Sequence, residues 1–116
     1  MKLSKKHCVQ IDAHTPAISK SAVRDLIAAI PEWSLAGKKL HFEVKLRNFR
    51  AALEFVNRVG DLAESEGHHP DILIHSWNHV RLTLQTHAIH ALSENDFILA
   101  AKIDLLPRRT VRGSHR

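Results

Sequence analysis

The stretch "AESEGHHPDILIHSWNHVRLTLQTHAIHALSEND", residues 63–96, holds the end of one helix, two strands and the start of another helix. Gly67 stands where helices commonly end in a left-handed residue, and Pro70 favours an extended backbone for the residue before it. Ile72–Ile74 is a short apolar run, and from Val80 to Thr86 apolar and polar residues alternate. Alternation of this kind is typical of a strand with one buried face, so the stretch predicts two strands after a helix.

The sequence before this stretch predicts a helix and a hairpin. Ser19 or Ser21 can cap a helix that Pro31 ends. Trp33–Leu35 and the alternating Leu40–Leu46 indicate two strands joined by a short turn. The chain therefore repeats the strand pairing on both sides of a central helix.

Two further helices complete the predicted order. Asn48 is expected to cap a long helix with one apolar stripe, formed by Phe49, Ala52, Leu53, Val56, Val59 and Ala63. Ser93, with Asp96 three residues later, resembles a capping box and predicts a last helix that Pro107 ends. The order α-β-β-α-β-β-α, with short links inside each strand pair, predicts an α+β fold in which three helices pack on one face of a four-stranded antiparallel sheet.

Length and composition are those of one globular domain. The chain has 116 residues, 44% of them apolar and 25% charged, and we expect a body of about residues 15–107 with loose tails. It has no run of 18 apolar residues and no basic-then-apolar leader, and its single Cys8 allows no intrachain disulfide. We therefore expect a cytoplasmic protein without a membrane partner.

The formal charge of +5 comes from the two ends of the chain. Seven of the 17 lysines and arginines lie at residues 2–6 and 108–116, which leaves ten to face all twelve aspartates and glutamates. The body between the ends is therefore slightly acidic. Basic tails bind phosphates without specificity, so we predict no nucleic-acid partner.

The adjacent pair His68-His69 points to chemistry. A helix end before the pair and a proline after it restrict the backbone, which lets the two side chains be aimed. An imidazole, with an ordinary pKa of about 6.5, can donate or accept a proton at neutral pH. Glu64 lies four residues before His68 and is expected to orient it if the helix extends that far. This arrangement suits an addition, an elimination or a dehydration.

Other interpretations of the histidines stay open at this point. His68, His69, His87 and His90 could supply imidazole ligands to a metal ion, although no His-Glu-x-x-His motif or cysteine pattern accompanies them. The remaining histidines are expected to be ordinary surface residues, and Asp96 could be only a helix cap. His87 is predicted to lie on the polar side of its strand, away from the helix-covered core.

Several elements of the stretch together resemble one known family. The pattern consists of "EGHHPDI", a strand that ends in "LTLQTH", and "LSENDFILAAKID". Its spaced residues are Glu64, His68, His69, Pro70, Trp77, Thr86, His87 and Asp96. The pattern resembles the pterin-4a-carbinolamine dehydratase family, also known as the dimerization cofactor of a nuclear homeodomain transcription factor, over about residues 19–106.

The resemblance implies an enzyme that dehydrates 4a-hydroxytetrahydrobiopterin to quinonoid dihydropterin in tetrahydrobiopterin recycling. It implies catalytic roles for His68, His69 and His87, and substrate contacts for Asp96, Glu64, Pro70 and Trp77. We expect His69 to act on the leaving hydroxyl, with His68 and His87 at the N5 side of the pterin. The resemblance also implies no metal or organic cofactor, a homodimer or homotetramer, and a functional link to an aromatic amino acid hydroxylase.

Two alternatives share this resemblance: a pterin-binding or transcription-cofactor-like interaction protein, and a helper in molybdopterin metabolism. The chain also departs from the family pattern in two places. His90-Ala91 stands where many members have two glycines, so the turn is expected to rearrange. The segment from Asp71 to Val80 is one residue longer than in many members, and we expect the extra residue to be absorbed between His75 and Asn78.

Overall fold

A computed structural model describes residues 2–110 of the chain. Its helices and strands are α1 (Lys20–Ile27), β1 (Ser34–Ala36), β2 (Lys39–Lys45), α2 (Phe49–Glu66), β3 (Asp71–His75), β4 (His79–Leu84) and α3 (Glu94–Asp104), with single 3-10 turns at Leu3–Lys5 and His87–Ile89. The predicted order of helices and strands is confirmed, with strand boundaries shifted by one or two residues. Among these helices, none has the length and apolar character needed to cross a membrane.

The four strands form one antiparallel sheet in the order β1-β2-β4-β3. Leu40 pairs with Leu84, and Phe42 pairs with Leu82, so neighbouring strands present apolar side chains on the same face. That face is buried against side chains of α2 and α3 in a single apolar core. The predicted α+β fold, with helices on one face of the sheet, is therefore confirmed.

Helix α2 begins and ends as the sequence predicts, but it buries a neighbouring face. Asn48 Oδ1 accepts a hydrogen bond from the Ala51 N–H at 2.8 Å, and Gly67 ends the helix with φ of 66°. Phe49 and Leu53 are 51% and 41% exposed. The buried residues are Ala51, Ala52, Phe55, Val59 and Ala63. The predicted stripe was therefore wrong at Phe49 and Leu53, because both faces of α2 have apolar residues at helical spacing.

The two segments in which we expected departures from the family pattern lie in tight turns. Ser76 and Trp77 have φ of 49° and 56° in the turn between β3 and β4, the segment where we expected an extra residue to be absorbed. The pairing of β3 with β4 runs without interruption from Asp71–Thr83 to His75–His79. His90 has φ of 49° and ψ of 39°, a left-handed conformation that glycine adopts more easily. The histidine thus takes a backbone conformation that usually favours glycine.

The N-terminal segment packs on the body, unlike the loose tail that we expected. Leu3 and Cys8 lie against the core, and the backbone of Cys8 and Val9 is hydrogen-bonded to side chains of α2 and α3. These bonds join residues far apart in sequence, so local composition gave no sign of them. The expected loose C-terminal tail lies, from residue 111 onward, outside the described residues.

Candidate active site

A cavity of about 490 Å³ opens where the end of α2, the end of β4 and the N-terminal segment meet. Its lining comprises Cys8, Val9, Gln10, Ile11, Glu66, Gly67, His68, His69, Gln85, Thr86, His87, Ala88 and Asn95. The structure therefore brings the three predicted catalytic histidines to one cavity. Its volume is in the range that small-molecule sites occupy.

His68 turns inward from the end of α2 to a buried carboxylate. Its Nε2 lies 2.6 Å from Asp96 Oδ1, and the two residues are 9% and 0% exposed. We expected Glu64 to orient His68, and this was wrong. The left-handed Gly67 ends the helix before His68, so the spacing of four residues no longer places the two side chains on one helical face.

Asp96 is held by further hydrogen bonds at its second oxygen. Oδ2 accepts from the Thr86 hydroxyl at 2.8 Å and from the Ser93 N–H at 3.0 Å, and the hydroxyls of Thr86 and Ser93 are 2.7 Å apart. Asp96 therefore caps α3 and contacts His68 at the same time. Each oxygen of this buried carboxylate has a partner, as a buried charge requires.

His69 forms a second imidazole–carboxylate pair, at the surface. Its Nε2 is 2.5 Å from Glu64 Oε2, with the two side chains 58% and 78% exposed. Pro70 follows directly and restricts the His69 backbone. An ion pair this exposed contributes little stability, but it keeps the imidazole close to the cavity.

His87 and Trp77 lie at opposite ends of the β3–β4 region. His87 is exposed, begins a 3-10 turn after β4 and lines the cavity, as predicted for a residue outside the core. Trp77 is 62% exposed in the β3–β4 turn and does not line the cavity. Strand β3 separates that turn from His69 by roughly 16 Å, at about 3.3 Å per residue. The structure thus places Trp77 apart from His68, His69 and His87.

The rest of the cavity lining includes residues that the family pattern did not mark. They include Cys8–Ile11, together with Glu66 and Asn95. Glu66 precedes the Gly67 helix stop and Asn95 precedes Asp96, so both lie beside residues that the motif marked. Glu66 and Asn95 hydrogen-bond Cys8 and Val9, and so join the N-terminal segment to α2 and α3. Sequence periodicity does not predict contacts between residues this far apart in the chain.

Glu66 and Cys8, which both line the cavity, have strongly shifted pKa values. Burial alone would raise the pKa of Glu66, but hydrogen bonds from Lys102, the Cys8 N–H and His7 lower it to about 2. Burial, followed by the nearby Glu66 charge, raises the pKa of the Cys8 thiol to about 12. At neutral pH Glu66 is therefore a carboxylate and Cys8 an un-ionised thiol, which is a poor nucleophile.

A second cavity, of about 570 Å³, lies beside α1 and β1. Apolar residues such as Val23, Ile27 and Leu92 dominate its lining, and the described lining residues include no histidine or carboxylate. It therefore offers no group that exchanges protons near neutral pH. The histidine-lined cavity is the candidate active site.

The metal interpretation gains no geometric support within residues 2–110. That part of the chain has no group of three or more His, Cys, Asp or Glu residues placed to hold a metal ion. His68 and His69 each contact a different carboxylate, Asp96 and Glu64.

Comparisons with known proteins gave matches over most of the chain. The model of the family "Pterin 4 alpha carbinolamine dehydratase" matches residues 16–106. Pterin-4-alpha-carbinolamine dehydratase 2, mitochondrial, of Arabidopsis thaliana is 45% identical over 90% of this chain, which spans 58% of that protein's length. A putative pterin-4-alpha-carbinolamine dehydratase of Halorhodospira halophila is 43% identical over 91% of this chain and 98% of its own length.

Two solved structures share the fold. A transcriptional coactivator/pterin dehydratase from Brucella melitensis has a TM-score of 0.71 at 24% identity, over 77% of this chain and 96% of that one. A pterin dehydratase-like protein, described as a RuBisCO assembly factor in the alpha-carboxysome, has a TM-score of 0.54 at 25% identity, over 63% and 86% of the two chains. From the family match and the identities above 40%, this chain belongs to the pterin 4 alpha carbinolamine dehydratase family.

Proposed function

We propose that this protein is a pterin-4a-carbinolamine dehydratase, a hydro-lyase that acts on 4a-hydroxytetrahydrobiopterin. The observation that supports this best is the meeting of His68, His69 and His87 at one cavity in a member of this family. In the reaction the C4a–O bond breaks as the hydroxyl takes up a proton, and N5 loses its proton. The electrons of the N5–H bond then form the N5=C4a double bond, and the products are water and quinonoid dihydropterin.

In this proposal His69 protonates the leaving hydroxyl. A hydroxyl leaves poorly unless it is protonated, and an imidazolium is a suitable donor near neutral pH. The carboxylate of Glu64 lies 2.5 Å from Nε2 and orients the ring. Exposure to solvent also lets His69 regain its proton after each turnover.

His68 and His87 serve the N5 side of the substrate. An ionised Asp96 can only accept at Oδ1, so Nε2 of His68 donates to it. A neutral His68 then carries its lone pair on Nδ1, the atom left to accept the N5 proton. His87 lines the same cavity from the turn after β4 and is assigned to the edge of the pterin ring. Trp77 is left out of this proposal because it does not line the cavity.

The test is carbinolamine dehydration followed by stopped-flow absorbance near neutral pH. Replacing His69 with alanine should lower kcat by about 10²- to 10⁴-fold, the usual contribution of one general acid or base. His68→Ala and His87→Ala should lower it as well. His41→Ala is the matched control, because His41 lies on the sheet in β2 and does not line the cavity. Wild-type rates in all three cavity variants would contradict the proposal, and a rate abolished by a chelator would favour metal-dependent chemistry instead.

We also propose that the protein self-associates as a homodimer or homotetramer. Strand β3 is an edge of the sheet, and its Ile72 and Leu73 are 38% and 47% exposed. An exposed apolar edge strand is a common site of pairing between chains. Light scattering should give a mass of at least two chains, and a monomer at every concentration tested would contradict this.

The pathway, the location and any protein partner are further proposals. We place the reaction in tetrahydrobiopterin recycling beside an aromatic amino acid hydroxylase, whose presence in the source organism would support the link. Its absence, together with turnover of a molybdopterin-related substrate, would favour the molybdopterin alternative. The name of the Arabidopsis relative places that protein in mitochondria, so a cytoplasmic location for this chain stays a prediction.

A further inference from the structure

Residues 8–11 line the histidine-lined cavity together, and we call this segment the N-terminal wall. It runs in a non-helical conformation after the 3-10 turn at Leu3–Lys5. The Val9 side chain is 66% exposed, and Gln10 is also exposed. The segment therefore buries little apolar surface at these residues, and polar contacts must fix its position.

Asn95 holds the N-terminal wall by two hydrogen bonds to one residue. The Val9 N–H donates to Asn95 Oδ1 at 3.0 Å, and Asn95 Nδ2 donates to the Val9 carbonyl at 2.6 Å. Asn95 is 4% exposed and directly precedes Asp96 in the first turn of α3. Its amide thus pairs with the backbone as a neighbouring strand would, and it links the wall to the helix that positions His68.

Glu66 provides a second anchor from α2. Its Oε1 accepts from the Cys8 N–H at 2.8 Å, and its Oε2 lies 2.8 Å from Lys102 Nζ. The side chains of Glu66 and Lys102 are 6% and 13% exposed, so the ion pair is largely removed from solvent. A buried carboxylate with partners on both oxygens has little freedom to move. The wall is therefore fixed at two successive residues by two different helices.

We propose that the N-terminal wall is part of the substrate site, with Gln10 and Ile11 as substrate-contacting residues and Glu66 and Asn95 as positioning residues. This rests on the proposed dehydratase function and names the surface that binds the part of the pterin remote from C4a and N5. An aliphatic side chain can pack on the face of the pterin ring. The Gln10 amide can both donate to and accept from the polar edge of the ring or a hydroxylated substituent. The wall contributes binding and excludes water, whereas the histidines transfer protons.

The test replaces Gln10 or Ile11 with alanine, which leaves both anchors in place. Each change should raise KM for the carbinolamine by about tenfold and leave kcat within about twofold, because it removes binding shared by ground and transition states. Titration of a stable pterin, 7,8-dihydrobiopterin, should show the same loss of affinity. His14→Ala is the matched control, since His14 is exposed just beyond the wall and does not line the cavity. Unchanged KM and unchanged pterin affinity in both wall variants would overturn the proposal.

Asn95→Ala tests the positioning role. It should raise KM as the wall variants do and should also speed tryptic cleavage after Lys6, because the segment loses two hydrogen bonds. A purely structural role would lower the melting temperature and leave KM unchanged. If this variant does not fold, the Gln10 and Ile11 variants decide the question.

Wild-type measurements separate the two proposals. A wild-type protein without dehydratase activity would contradict the proposed function, while its pterin titrations would still test the wall. If the wild type is active and the Gln10 and Ile11 variants keep its KM and pterin affinity, only the proposed role of the N-terminal wall is contradicted.

Discussion

His68 and His69 are adjacent in sequence and each contacts a carboxylate, but the two pairs lie in opposite environments. The His68–Asp96 pair is buried, with Asp96 fully enclosed and hydrogen-bonded at both oxygens. The His69–Glu64 pair is exposed at 58% and 78%. Burial fixes the geometry of a hydrogen bond and strengthens it, whereas solvent and salt weaken an exposed one. The same chemical pair can therefore fix the tautomer of one imidazole and leave its neighbour free to exchange protons.

Asp96→Asn should have the largest effect, because it breaks the buried pair. An asparagine has one acceptor oxygen and cannot accept from His68, Thr86 and Ser93 as the carboxylate does. We expect kcat to fall on the order of 10³-fold as His68 loses its tautomer, and the free energy of unfolding to fall by about 2 kcal/mol. Dehydration kinetics and urea denaturation measure the two effects.

Asp104→Asn is the control for Asp96→Asn on the same helix. Asp104 accepts a hydrogen bond from Trp33 Nε1 at 2.9 Å, does not line the cavity, and burial raises its pKa despite that bond. This variant should keep its kcat, and its free energy of unfolding should change little, because an asparagine oxygen can still accept from Trp33. If Asp96→Asn keeps kcat within tenfold of wild type, the buried pair does not control His68.

Thr86→Val should have a smaller effect, because it weakens the buried pair without removing it. Valine keeps the shape of threonine but lacks the hydroxyl that donates to Asp96 and meets the Ser93 hydroxyl. We expect kcat to fall by about tenfold and the unfolding free energy by about 1 to 2 kcal/mol. The same two assays apply, and a wild-type kcat would show that Asp96 holds His68 without help from Thr86.

The contrast between the two pairs also marks how far sequence alone could predict the site. Local rules predicted the helix end and the capping box, because the residues involved affect only the backbone within a few positions. These residues are Gly67, Pro70, Ser93 and Asp96. The contact of Asp96 with His68 depends on how α3 packs beside the end of α2, which no local pattern specifies. The family resemblance marked these residues as parts of one site, but it did not predict which carboxylate each histidine contacts.

The same limit applies to residues away from the three cavity histidines. Trp77 was grouped with them through its place in the motif, yet it lies in the turn at the far end of β3 and does not line the cavity. The N-terminal wall was missed because Val9 and Asn95 meet only in the folded chain. We expected a loose tail there because the local sequence does not show that side chains of α2 and α3 bind this segment.

Glu66 extends the comparison to a third carboxylate, two residues after the exposed Glu64 on the same helix. Its pKa of about 2 lies below its ordinary value of 4.5, so its ionised form stabilises the fold above about pH 4.5. That stabilisation is lost as the pH falls from 4.5 toward 2. We expect Glu66→Gln to lower the unfolding free energy at pH 7 by about 2 kcal/mol and to flatten its dependence on pH in this window. Denaturation curves that stay parallel to wild type from pH 7 to 2 would contradict this.

Glu64→Gln should have the smallest effect, because it removes the exposed partner of His69. Exposed ion pairs contribute about 0 to 1 kcal/mol, so we expect almost no change in the unfolding free energy. The kcat should fall by less than about tenfold, since Glu64 only orients an imidazole that solvent already reaches, and added salt should shrink the difference. Asp61→Asn is the control, because it removes a similar charge one turn earlier on α2, at an exposed residue. An equal effect in the control would assign the change to net charge, whereas a loss as large as that of Asp96→Asn would mean that burial does not separate the two pairs.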